Sequence, residues 1–113
     1  YQEDGQFYRA LQGLLQAGRG RVGIFAGNDI YALRALDALR TMEIPVPAQA
    51  GVIGFDNTDL GRYLNPRLSS VSQPIARMAQ AAVARLLDCI DRPGPREVLN
   101  SPFSAELVIR EST

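Results

Sequence analysis

The sequence predicts an α/β fold, a parallel sheet flanked by helices, and three observations predict it. Two short apolar runs, Val22-Gly23-Ile24-Phe25-Ala26 and Val52-Ile53-Gly54-Phe55, each end abruptly at polar residues. Runs of that length without alternation suit strands inside a parallel sheet. Between and around them lie longer stretches with apolar residues at helical spacing. Helical and extended stretches then alternate along the chain, which is the order of a parallel sheet covered by helices.

Each element has its own signal. Phe7, Leu11, Leu14 and Leu15 recur at helical spacing and Gly18 follows as a stop, so a helix is expected over residues 5–17. The run at residues 22–26 is the first strand, expected to be buried on both faces. Gly27-Asn28-Asp29 breaks it and opens a second helix, with a stripe of Leu33, Leu36 and Leu39 and alanines close by. Ile44-Pro45-Val46-Pro47 ends that helix, since proline removes a donor from the ladder. Residues 52–56 repeat the character of the first strand, a short helix or turn covers about residues 58–64, and residues 68–73 read as a third extended segment.

Pro74 is placed as a first helical residue, where its missing N–H costs nothing. The most regular helix in the chain follows, with Ile75, Met78, Ala79, Ala82, Val83, Leu86, Leu87 and Ile90 on one broad face. Pro93-Gly94-Pro95 stops it, and two short strands are expected near residues 96–99 and 105–110. Left uncovered, an apolar face of that width predicts either a rearranged helix or burial against another copy.

Composition narrows the chemistry. At 113 residues and 46% hydrophobic content the chain is one domain or a piece of one. No apolar run approaches the roughly 20 residues that span a bilayer, so no membrane partner is expected. The formal net charge of +0 leaves no electrostatic footprint for a nucleic acid. Every basic residue is arginine. Without His the commonest general base is missing, and without Lys Schiff-base chemistry and a P-loop lysine are excluded. Cys89 stands alone, which excludes an intrachain disulfide or a multi-cysteine metal site and fits a reducing, cytoplasmic compartment.

Several motifs have a plain structural reading. Gly18-Arg19-Gly20-Arg21-Val22-Gly23 matches G-x-G-x-x-G, but it follows a helix and runs into a strand, the reverse of a dinucleotide fingerprint. Asp56-Asn57-Thr58-Asp59 resembles the start of a calcium loop, yet Arg67 stands where the bidentate glutamate belongs. A phosphoacceptor role for Asp56 wants a lysine partner that the chain lacks. Asn28 and Asp29 can simply cap a helix and complement its dipole, and Gln73 can be no more than a hinge residue. Ligands of parallel α/β sheets nevertheless sit at the carboxyl ends of the strands, where Asn28, Asp29, Asp56 and Asn57 all fall. Asn, Asp and Gln side chains make paired hydrogen bonds to hydroxyl groups. The set offers no activated nucleophile, so it favours a binder of a neutral polar ligand over an enzyme and does not rank a sugar above a nucleobase. An acid–base pair of Asp56 and Asp59 is the enzymatic rival.

Five stretches together resemble the lactose-repressor/galactose-repressor family. They are Ile24-Phe25-Ala26-Gly27-Asn28-Asp29 followed by Ala32-Leu33, Ile44-Pro45-Val46-Pro47, Val52-Ile53-Gly54-Phe55-Asp56, Leu68-Ser69-Ser70-Val71-Ser72-Gln73-Pro74, and the closing Glu106-Leu107-Val108-Ile109-Arg110-Glu111-Ser112-Thr113. They come in the family's order and cover nearly the whole chain. The resemblance implies a periplasmic-binding-protein-like type I fold, one lobe plus a crossover segment. Residues 1–73 are then the C-terminal lobe of a partial effector-binding domain, 74–99 a crossover helix and strand that pack on the other lobe, and 100–113 a return strand.

The resemblance also implies a sensor without catalytic residues, metal or cofactor. Asn28 and Asp56 contact a small polar effector of the sugar class, Gln73 lies at the hinge near it, and Tyr1 stacks on it, with Asp29, Asn57 and Phe55 in support. A homodimer forms through about residues 30–42 and 58–64, and DNA is bound only through a helix-turn-helix outside these residues. Three departures stand out: Arg34 and Phe7 replace glycines usual in the family, and Asn57 replaces a second acid after Gly-Phe-Asp. A periplasmic sugar-binding protein of a transporter shares the fold and is the alternative.

Overall fold

The computed structural model describes residues 2–17, 20–92, 94 and 103–113. In chain order the elements are α1 (Gln2–Ala17), β1 (Val22–Phe25), α2 (Asp29–Thr41), β2 (Ala50–Phe55), α3 (Leu60–Tyr63), β3 (Ser69–Ser72), α4 (Ile75–Asp91) and β4 (Glu106–Val108). The four strands form one sheet in the order β1-β2-β3-β4. β1, β2 and β3 run parallel, with Val22 opposite Ala50 and Ile53 opposite Ser69. β4 returns antiparallel, with Ser70 opposite Val108.

The boundaries shift for local reasons. α1 starts at Gln2, three residues before its expected start. β2 starts at Ala50, because Val22 pairs with Ala50 and donates to the Gln49 carbonyl at 2.9 Å. Pro74 is the cap of α4, not its first helical residue; its ψ of 62° is not helical, and its carbonyl accepts from Met78. The strand expected at 96–99 and the stop at Gly18 fall outside the described residues.

The core lies between the sheet and α2. β2 turns Ala50, Val52 and Gly54 toward the helix, all buried. The helix answers with Ala32, Ala35, Leu36, Ala38 and Leu39. Five of these inward positions are alanine or glycine, so helix and strand approach closely, and Leu39, Leu68 and Val52 fill the remaining space. Leu11 of α1 is buried in the same cluster, with Tyr8 and Leu15 partly buried beside it.

The opposite sheet face does not match the expectation of a first strand buried on both sides. Gly23 and Phe25 are exposed, and Phe25 keeps 66% of its surface accessible. A shallow apolar hollow of about 370 Å³ runs along this face between Gly23, Phe25, Gly51, Ile53 and Thr113. α4 also remains bare: none of its residues is buried, and Ile75, Val83, Leu86, Leu87 and Ile90 are all more than half exposed. It is a regular helix that does not fold back onto the sheet. The radius of gyration of 19.0 Å reflects this, since a compact domain of this length has one of about 13 Å.

The C-terminal residues close the sheet where β3 has not yet begun. The Ser112 carbonyl accepts from the Val52 amide at 2.7 Å, and its hydroxyl donates to the Val52 carbonyl at 2.6 Å. The same hydroxyl oxygen accepts from the Ser69 amide at 2.8 Å. Ser112 is therefore a one-residue continuation of the ladder beside β2, wholly buried. Replacing Ser112 with alanine leaves two buried backbone groups short of a partner, a loss of about 1–3 kcal/mol. A lowered urea midpoint with unchanged slope is the expected result; an unchanged midpoint would show that Ser112 does not hold the sheet.

Candidate functional site

Three sequence-selected residues come to the carboxyl ends of adjacent parallel strands. Asn28 follows β1, Asp56 follows β2 and Gln73 follows β3. Asn28 caps α2 from an extended backbone, its Oδ1 accepting from the Tyr31 amide at 2.9 Å. Gln73 donates through Nε2 to Asp56 Oδ1 at 3.1 Å. Asp56 is exposed, Asn28 and Gln73 half-buried, so the three present a polar rim. Phe55 is half-buried just before Asp56. Tyr1 lies outside the described residues.

The rim stands on a buried carboxylate. Asp29 is 3% exposed. Its Oδ2 accepts from the Thr58 amide at 2.6 Å and the Thr58 hydroxyl at 2.8 Å, and its Oδ1 accepts from the Ser70 hydroxyl at 2.6 Å. A buried anion is tolerated only when donors replace the lost water, and short charge-assisted bonds do that here. Asp29 thus pins the start of α2, the loop after β2 and the middle of β3 to one point. Gly54 is glycine for the same reason, since a Cβ there would stand 2.3 Å from Asp29 Oδ1 and 3.0 Å from Leu68 Cδ2.

The loop after β2 has a demanding backbone. Asp56 has φ 101° and Asn57 φ 50°. Positive φ is costly for a residue with a Cβ, of order 1–3 kcal/mol at sparsely populated values, and it persists only where surroundings enforce it. The enforcing contacts are on hand. The Asp56 amide donates to the Val71 carbonyl at 2.9 Å, and the Asn57 amide donates to Ser70 Oγ at 3.0 Å. The Asn57 side chain donates to Ser72 Oγ at 3.3 Å and accepts from Arg110 at 2.6 Å. Asp29 and Asn57 therefore brace the rim from within, their polar atoms taken up by the protein.

The acid pair Asp56 and Asp59 does not share a partner: Asp56 accepts from Gln73, while Asp59 is 84% exposed beside Arg62 at 3.7 Å. Among the described residues no cluster of His, Cys, Asp and Glu could hold a metal ion. Gly23 lies inside β1, as strand and not as a phosphate-binding turn. The hollow of about 370 Å³ lies along the sheet face and does not include Asn28, Asp56 or Gln73. Sequence reasoning missed Thr58, Ser70, Ser72 and Arg110. The signal for the serines was a polar Ser-Ser-x-Ser run where a parallel strand calls for apolar residues; Arg110 stood in the closing stretch that carries the resemblance, with no role attached to it.

Residues 2–113 match the family model described as the periplasmic binding protein-like domain. Over 83 residues the chain is 40% identical to the HTH-type transcriptional repressor PurR of Erwinia tasmaniensis, a stretch that is 74% of this chain and 24% of that protein. It is 37% identical over 97 residues to the HTH-type transcriptional regulator MalR of Streptomyces coelicolor, covering 85% of this chain and 28% of that one. The crystal structure of a LacI family transcriptional regulator from Enterococcus faecium with bound ribose superposes with a TM-score of 0.76 at 30% identity, covering 94% of this chain and 38% of that chain. The chain spans about a quarter of the length of the curated relatives it matches.

If Asp29 is the brace, a methyl group on Gly54 and loss of the carboxylate should interact. Gly54→Ala is expected to destabilise the fold by about 1–3 kcal/mol through overpacking, and in an Asp29→Ala background much of that cost should vanish. Equal costs of Gly54→Ala in the two backgrounds, read from denaturant midpoints, would show that the two groups do not compete for space.

Proposed function

We propose that this chain, which belongs to the periplasmic binding protein-like domain family found in LacI-type transcriptional regulators, is part of a sensor domain that binds a small polar effector of the sugar class and controls DNA binding by a helix-turn-helix outside these residues. The observation that carries this is the rim of Asn28, Asp56 and Gln73 at the ends of three adjacent parallel strands. Open α/β sheets bind ligands there. Asp56 offers an outward acceptor, and the amides of Asn28 and Gln73 offer donors as well as acceptors, the mixture that hydroxyl groups need. Tyr1 stacks on the bound molecule in this reading. The chain acts without a catalytic step, cofactor or metal, and works in the cytoplasm. A regulator is favoured over a transporter's periplasmic binding protein because the relatives are helix-turn-helix regulators.

Binding regulates by differential affinity. A ligand shifts an open–closed equilibrium only as far as it prefers one state. Residues 1–73 supply one wall of the cleft. Residues 74–99 cross to a second lobe, which would cover the bare apolar face of α4, and 100–113 return. The relay to DNA runs through a homodimer built on residues 30–42 and 58–64. Ile30, Tyr31, Leu60 and Tyr63 are each more than half exposed, Tyr63 at 84%, and α2 packs beside α3, so the two stretches adjoin. Arg34 lies over the Tyr31 ring at 5.9 Å. The guanidinium thereby extends an aromatic surface instead of interrupting it.

Ribose and a panel of neutral sugars titrated calorimetrically into the full-length protein test the effector. Asp56→Ala is expected to weaken the best ligand roughly 10–100-fold, the loss of one charge-assisted hydrogen bond. An unchanged affinity would remove Asp56 from the site. For the dimer, Tyr63→Asp should raise the dissociation constant by roughly thirtyfold or more, as for a central aromatic anchor. Sedimentation that shows no change would place the interface elsewhere.

A further inference from the structure

We propose that Arg110 is a positioning residue for the effector-facing loop: it holds Asp56 in place through Asn57 without touching the ligand. What the loop serves rests on the effector reading above; the coupling itself does not.

Arg110 sits 53 residues from Asn57 and joins two banks of the fold. Its Nη2 donates to Asn57 Oδ1 at 2.6 Å, its Nη1 donates to the Leu68 carbonyl, and its backbone amide donates to Ser69 Oγ at 2.7 Å. One planar guanidinium therefore ties the C-terminal return to the loop after β2 and to Leu68, the residue just before β3. Guanidinium groups only donate, so the contact fixes which end of the Asn57 amide faces Arg110. The other end then points to Ser72, where Nδ2 donates at 3.3 Å. With both ends of its side chain engaged, Asn57 is held at φ 50°, and Asp56 beside it at φ 101°.

The other pins of this loop are the amides of Asp56, Asn57 and Thr58, bound to Val71, Ser70 and Asp29, the Thr58 hydroxyl on Asp29, and Gln73 on the Asp56 carboxylate. The Asn57 side chain adds its own two contacts, to Ser72 and Arg110, and among the described residues Arg110 is the one charged donor to the loop. Lysine does not replace it, because a single ammonium lacks the flat fork that meets two separate acceptors. A neighbouring hollow of about 460 Å³ is lined by Arg62, Arg67, Ile109, Arg110 and Glu111. It is not read as an anion site, since Arg62 faces Asp59, Arg67 faces Glu111 and Arg110 is bound as described.

Residue-resolved amide hydrogen exchange on the full-length protein without ligand tests this. Arg110→Lys and Asn57→Ala should each speed exchange at Asn57 and Thr58 by roughly tenfold or more, with Ile24 and Ile53, in the paired strands β1 and β2, as the reference. The double variant should exchange no faster than either single one, because both remove the same contact. Asn57→Asp keeps the acceptor and should retain the slow exchange. Three results would each overturn the proposal: unchanged loop exchange, additive effects in the double variant, or loop and mid-strand amides accelerating in step, which marks a general structural role. If the Arg110→Lys protein folds poorly, the same three results are read from Asn57→Ala against Asn57→Asp. No effector is needed, so failure here is separable from failure of the effector reading.

Discussion

Asp29 carries a charge in a place where charge is expensive. With 3% of its surface exposed it has little water to stabilise it, and an uncompensated ion at such depth costs several kcal/mol. Three donors from Thr58 and Ser70 replace the water. Both Thr58 donors meet Oδ2 and Ser70 meets Oδ1, so satisfying the carboxylate fixes the distances between α2, the loop after β2, and β3. Gly54 leaves room for Asp29, Asn28 enters the helix beside it, and Asp56 emerges two residues before Thr58. The polar rim is where it is because the brace beneath it admits one arrangement.

A second set of contacts makes the brace possible. β3 can offer Ser70 to Asp29 only if it is held beside β2 at the right height. Ser112 does this from the far end of the chain, joining Val52 and Ser69 in one buried cluster. Ser69 and Thr113 share a further hydroxyl contact at 2.7 Å, and Glu111 accepts from the Arg67 amide at 3.0 Å. The last four residues thus act together, Arg110 toward the loop and the rest toward the sheet. Glu111 and Ser112 lie in a turn, and their two amides both donate to the Arg67 carbonyl, at 3.1 and 3.0 Å, which fixes the turn against the residue that precedes Leu68.

Against this tightly bonded half stand two bare surfaces. One sheet face shows Phe25 and Gly23, and α4 shows a full apolar stripe. Neither is explained by contacts within the described residues, and exposed apolar area of this kind belongs to surfaces that pack against something else. The cooperative part of this chain is the sheet with α2 and the C-terminal return; α4 contributes no burial to it.

The fold class, the strand-helix alternation and the position of Asn28, Asp56 and Gln73 were legible in the sequence. Apolar runs that stop at polar pairs mark strand ends, and strand ends are local events. The cap at Asn28 was legible for the same reason. The double role of the Asn-Asp pair was not: Asn28 satisfies its own helix, while Asp29 turns inward to partners 29 and 41 residues away. Nor was the bare second face of β1 foreseeable, since an apolar run reads the same whether one layer covers it or two. Arg110 shows the limit most clearly. Its partner is 53 residues distant, and no periodicity or propensity reports a contact that exists only once β4 has folded back against β3. Periodicity and strand-end chemistry determined the elements and the residues at their ends. Which polar atoms satisfy one another was decided by tertiary structure alone, because hydrogen-bond partners are chosen by distance in space.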